Sequence, residues 1–227
     1  MDPASLPNLP GLLSVARFAT YLRAAHNDHA VAARYYSWNI EVAGAFWGPL
    51  HVLEISMRNA MQQELARKFR RDDWWNVPSI SFTKVSNDSL GSAKSKAAGV
   101  ARKKARPMVA GDVVSTLMFG FWTGLVGPGG RAQYETKLWN PALTKAFPHY
   151  RGSRSGLHSI LDDVREFRNR VAHHEPIIWN DPAAMRSTLL QVAGYIDPSV
   201  AKFIDQSDRI NECLNRKSAA LTGTCQF

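Results

Sequence analysis

Between Leu157 and Val171 the apolar side chains return at intervals of three and four: Leu157, Ile160, Leu161, Val164, Phe167 and Val171. That spacing keeps them on one face of an α-helix, and Gly156 and Pro176 stand where such a helix would begin and end. The pattern predicts an amphipathic helix over about 156–174. No stretch of the chain alternates in the way a half-buried strand would, so the fold class expected is all-α, a helical bundle.

On a wheel of about 100° per residue, Arg168 falls inside the greasy stripe, whereas Glu166 and Arg170 face the solvated side. A guanidinium in that position needs a partner. Asn169 and His173, four residues apart, share one edge of the helix within side-chain reach of each other, so that the amide can orient the imidazole. Because Pro176 disfavours helical geometry at Glu175, His173 and His174 are expected in the last turn, at the negative pole of the helix dipole. An Arg for phosphate charge, an Asn for orientation and a His that trades protons near neutrality are what metal-free RNA strand cleavage needs, with the 2′-hydroxyl as nucleophile. The same three residues would also serve as caps and surface pairs in a purely structural helix end.

The rest of the chain reads as further helices. Ser14 can cap a short amphipathic helix bearing Val15, Phe18, Tyr21 and Leu22 and ending near His26–Asp28. His26 and His29 flank Asp28 at a spacing that could suggest a metal pair, but with no further ligands nearby they are expected to be surface histidines and no metal site is expected. A second helix is expected from His29 to Trp47, broken by Gly48-Pro49, with Pro49 opening a third helix whose stripe is Leu50, Leu53, Met57, Ala60, Met61, Leu65 and Phe69. Glu54 lies in that stripe. It can pair with Arg58 one turn on, or serve as the partner that Arg168 requires.

Residues 70–92 carry Trp74-Trp75, Pro78 and a Ser/Thr/Asn-rich run and read as loop, with the basic segment 86–106 a loop or insertion. Between Lys94 and Arg106 the chain carries Lys94, Lys96, Arg102, Lys103, Lys104 and Arg106 without an acid, and these form the best candidate RNA contact. A buried helix follows over 109–126, containing Phe119-Gly120-Phe121-Trp122 and ended by Gly127-Pro128-Gly129-Gly130. A short helix or covering segment over 134–147 precedes the motif helix. Helices over about 181–196 and 198–214 come after it, with a frayed tail beyond Lys217.

Length, 227 residues, and a hydrophobic share of 45% suit one domain with a real core. A net charge of +9 favours a polyanionic partner. Two late cysteines, Cys213 and Cys225, point to a reducing compartment, the cytoplasm. The N-terminus lacks the basic start and apolar run of a signal peptide, and the longest apolar run, 113–126, is too short for a membrane span.

Arg168-Asn169-Arg170-Val171-Ala172-His173 resembles the Arg-Asn-x-x-x-His motif of HEPN-domain ribonucleases, and the continuation His174-Glu175-Pro176-Ile177-Ile178-Trp179-Asn180 looks like the Abi-like, AbiD/AbiF-type abortive-infection branch. Tyr35-Tyr36-Ser37-Trp38-Asn39, Leu53-Glu54-Ile55-Ser56-Met57-Arg58-Asn59-Ala60 and Phe119-Gly120-Phe121-Trp122 are similar to blocks of that family in the same order. The resemblance spans roughly residues 14–180. It implies a HEPN-type bundle with extra helices, a two-fold homodimer with two motif helices facing each other, and metal-independent endoribonuclease activity that leaves a cyclic phosphate, in phage defence or as a toxin. It implies no cofactor. In such enzymes an early helix supplies a polar companion to the motif, a place that Glu54, Arg58 or Asn59 could fill here. His173 would be the acid or base, Arg168 the phosphate ligand and Asn169 the positioning group, with His174 in support. The alternative expectation is a non-catalytic dimer that binds RNA or holds an antitoxin or other regulatory partner.

Overall fold

The computed structural model describes residues 2–5 and 8–226, and 73% of it is helix, with no strand among the described residues. The α-helices run α1 Leu9–Leu12, α2 Val15–Ala24, α3 His29–Phe69, α4 Lys84–Lys103, α5 Ala110–Thr116, α6 Phe119–Val126, α7 Arg154–Ala172, α8 Pro182–Ile196, α9 Pro198–Ser207, α10 Ile210–Asn215 and α11 Lys217–Leu221. The chain is therefore all-α, as its periodicity predicts. No helix is long and apolar enough to cross a membrane among the described residues.

Two compact units share the chain. The first takes Met1–His51, Glu166–Leu189 and Phe203–Phe227, and the second takes Val52–Arg165 and Leu190–Lys202. The segments of the two units alternate along the sequence.

The first unit is built on the early turns of α3. Asp28 caps that helix, its Oδ1 accepting from the N–H groups of Ala30 and Val31 at 2.8 and 3.0 Å. Tyr21, Val42 and Phe46 are fully buried, and Phe167 meets Phe46 edge to face at 4.7 Å. The indole N–H of buried Trp38 donates to the Cys213 carbonyl at 2.9 Å, and Arg216 Nε donates to buried Glu41 at 2.6 Å. These two bonds fasten the C-terminal helices to α3. The tail is accordingly ordered as α11, with Ala220 buried, where the sequence suggests fraying. The helix expected over 198–214 is split because the Asp208 carboxylate accepts the Ile210 N–H at 2.9 Å and the Arg186 guanidinium, starting a new helix.

The expected break at Gly48-Pro49 does not occur: α3 is one helix of 41 residues with Pro49 inside it. A helix-interior proline costs about 3 kcal/mol. Here the apolar stripe continues in phase across it, with Phe46, Leu50, Leu53, Met57, Met61 and Leu65 all buried. Each such side chain is worth roughly 1.5–3 kcal/mol of burial, so the stripe outweighs the proline.

In the second unit the segment read as a loop is mostly helix. Thr83 Oγ1 accepts the Ser86 N–H at 3.2 Å and begins α4, whose buried face is Leu90, Ala93, Ala97 and Ala101. This alanine stripe is narrow, which is why hydrophobic periodicity overlooks it. The buried helix expected over 109–126 is two helices joined by extended Leu117 and Met118. Ser115 and Thr116 turn their hydroxyls back to the Asp112 carbonyl, both at 2.9 Å, and end α5. Gly129 is left-handed at φ 66°, and a Cβ there would come within 2.5 Å of Tyr134. Glu135–Trp139 is a π-helical turn and Leu143–Ala146 a 3-10 turn.

Arg106 and Asp112 close the turn from α4 to α5 through two parallel bonds of 2.6 and 2.7 Å, and Asp112 also accepts the Val109 N–H at 2.9 Å. The Arg106 guanidinium holds the Asp112 carboxyl well below the usual carboxylate range. A depressed carboxylate contributes stability above its unfolded value, about pH 4, and loses it as pH falls through the folded value. Asp112→Asn is therefore expected to be less stable than wild type at pH 7, with the difference closing progressively as pH falls below about 4. Denaturant midpoints across that range check this, and a pH-independent gap contradicts it.

Candidate functional site

Arg168, Asn169, His173 and His174 belong to the first unit. Helix α7 opens where Ser153 Oγ accepts the Gly156 N–H at 3.1 Å. Its buried face is Leu157, Leu161, Val164, Phe167 and Val171, as predicted, and Ile160 is only half-buried. Arg168 and Asn169 are half-buried at the border of that face, and His173 is exposed.

The histidines do not sit inside the last turn. Helix α7 ends at Ala172, and the His173 N–H makes the last regular bond, to the Asn169 carbonyl at 2.9 Å. His174 is left-handed, φ 58°. Its N–H reaches the Val171 carbonyl at 3.2 Å, and the Glu175 N–H reaches the Arg170 carbonyl at 2.9 Å. This paired closure is a Schellman turn with a histidine in the position that glycine usually takes. Pro176 two residues on is its sequence cue.

Distant residues hold the turn. Arg17 Nη1 donates to the His174 carbonyl at 2.9 Å. Asn39 is 3% exposed; its Oδ1 accepts the buried Ile177 N–H at 2.8 Å and its Nδ2 makes a long contact of 3.5 Å to the Glu175 carbonyl. Trp179 lies against Tyr21 and Tyr35, at 5.3 and 6.0 Å between ring centres. Two of the sequence blocks that carried the resemblance, 35–39 and 177–180, thus pack against each other. No local sequence pattern singles out Asn39, Arg17 or Trp179 for these roles.

Asn169 and His173 are linked through backbone only: neither side chain hydrogen-bonds another described residue, so the amide does not orient the imidazole as expected. The imidazole is free to meet a ligand from solvent. The expected supporting residues Glu54, Arg58 and Asn59 belong to the second unit, where Glu54 is half-buried, Asn59 exposed and Arg58 reaches the Ser115 carbonyl at 3.5 Å.

The six basic candidates are also in the second unit and are not equivalent. Arg106 is held by Asp112, and Lys94 donates to Asn76 Oδ1 at 2.8 Å, which weakens both as phosphate ligands. Lys96, Arg102, Lys103 and Lys104 are exposed and form no ion pair among the described residues. Arg102, Lys103 and Lys104 gather at the C-terminal end of α4, where cations suit the helix dipole and a phosphate could meet several at once, and Lys96 lies about two turns earlier. A scan of family models and searches of curated proteins and solved structures returned no match to this chain.

Asn39→Ala leaves the Ile177 N–H buried without its acceptor, a loss of about 1–3 kcal/mol. We expect faster hydrogen exchange across 174–180 with little change in α4. Unaltered protection of 174–180 would contradict the pinning role.

Proposed function

We propose that this chain is an Abi-like HEPN ribonuclease: a metal-independent endoribonuclease acting as a two-fold dimer in the cytoplasm, in phage defence or as a toxin. What supports this most is the end of α7, where Arg168, Asn169 and an exposed His173 with a free imidazole stand within six residues on a turn braced by Arg17 and Asn39. The basic end of α4 and the net charge of +9 suit a polyanionic substrate.

In the proposed reaction His173 takes the proton of a ribose 2′-hydroxyl, or supplies one to the leaving 5′-oxygen. The 2′-oxygen bonds to phosphorus and the phosphorus–5′-oxygen bond breaks, leaving a 2′,3′-cyclic phosphate and a 5′-hydroxyl. Arg168 stabilises the charge that gathers on the phosphorane, and Asn169 positions the phosphate. His173 of a second copy would serve the opposite proton step. His174 supports the site through its backbone, because its left-handed geometry sets where His173 stands.

Cleavage of a mixed RNA substrate should be unchanged in excess chelator and fall about 10²–10⁴-fold in His173→Ala. Binding of a non-cleavable 2′-O-methyl RNA by that variant should persist. RNA that is bound but left whole by wild type would favour a non-catalytic RNA-binding or antitoxin-binding dimer instead.

A further inference from the structure

Next to the turn that ends α7, a groove of about 320 Å³ opens in the first unit. One wall is a single face of α3, with Tyr36, Ile40, Gly44 and Trp47 at spacings of four, four and three. The opposite wall is Val171 and His174. Gly44 is what leaves the middle of the α3 wall open, since a Cβ there would meet nothing within 4 Å.

Two aromatic rings stand at the ends of this face, about three helical turns apart. Trp47 is 45% exposed, beside the exposed Gly44 and Gly48, so one side of its large apolar ring is open to solvent. Tyr36 is half-buried and braced edge-on by Tyr21 at 5.3 Å and 85°, which fixes its ring before any ligand arrives. His174 lines the groove, and the exposed Arg17 guanidinium, outside the lining itself, is anchored to the His174 carbonyl with donors to spare.

Ring faces bordered by cationic donors are the means by which proteins hold unpaired bases next to their phosphates. The volume lies at the small end of the roughly 300–1,000 Å³ of ligand pockets, enough for a flat aromatic group. We propose that this groove holds an unpaired nucleobase of the RNA strand, stacked on Trp47, with the adjoining phosphate directed past Arg17 and His174 toward His173. This rests on the ribonuclease reading and adds to it a subsite of this chain for one base beside the cleaved linkage.

The full-length protein can be titrated with a fluorescent single-stranded 2′-O-methyl RNA octamer and with an abasic octamer of the same backbone, at several salt concentrations. Wild type is expected to bind the base-bearing strand about tenfold more tightly than the abasic one. Trp47→Ala is expected to lose that preference, and Trp47→Phe to keep most of it. Gly44→Leu fills the groove without removing a ring, and should lose the preference while its thermal melt stays at or above that of wild type. The salt slope should be alike in all four proteins, because the phosphate contacts are untouched.

Equal binding of base-bearing and abasic strands by wild type would overturn the groove assignment and leave the ribonuclease reading standing if RNA is still cleaved. Unchanged affinity in both Trp47→Ala and Gly44→Leu would also overturn it, as would a change in oligomeric mass with no change in RNA affinity, which would give the groove to a second copy of the chain. A wild type that neither binds nor cleaves RNA would remove both readings together.

Discussion

A left-handed histidine closes α7, and the exposed placement of His173 follows from how that closure is held. An L-residue with φ near 58° costs on the order of 1 kcal/mol, so the turn persists only because its surroundings determine it. Arg17 binds the His174 carbonyl, Asn39 takes the Ile177 N–H, and Trp179 packs on Tyr21 and Tyr35. All these anchors lie in the first unit. None of them uses the imidazole of His173 or the amide of Asn169, so both remain free for a ligand.

The proposed division of labour separates attraction from chemistry. Exposed Lys96, Arg102, Lys103 and Lys104 on α4 supply a diffuse positive field that is strong at low salt and carries no sequence preference. Short-range contacts at the end of α7 would do the rest: a guanidinium for the phosphate, an imidazole for the proton, and aromatic faces for a base. Arg106 stands outside this scheme, because its fork geometry is already occupied by Asp112 and ties α4 to α5.

What could be read from the sequence was what depends on local period. The α7 stripe, the Ser14 and Pro176 punctuation and the Arg-Asn-x-x-x-His triplet were all legible within a dozen residues. The misread elements were decided by competing terms of similar size. Proline at position 49 signals a break, yet the in-phase burial of Phe46, Leu50 and Leu53 outweighs it. Alanines at 93, 97 and 101 are too small to register as a core face, although they pack as one. The Asp208 carboxylate starts a new helix and the hydroxyls of Ser115 and Thr116 end one through side-chain hydrogen bonds that no window average detects. At the site, the bond from Ile177 to Asn39 joins residues 138 apart, and nothing local to either one announces it.

Nuclear magnetic resonance of the histidine side chains during titration with a 2′-deoxy dinucleotide, which binds but cannot be cut, probes the central claim most directly. The account predicts that the His173 ring signals move along a saturating curve, and that Arg168→Ala weakens this response without moving the free-state signals of the other histidines. His173 signals that stay fixed while the dinucleotide demonstrably binds elsewhere on the protein would contradict it.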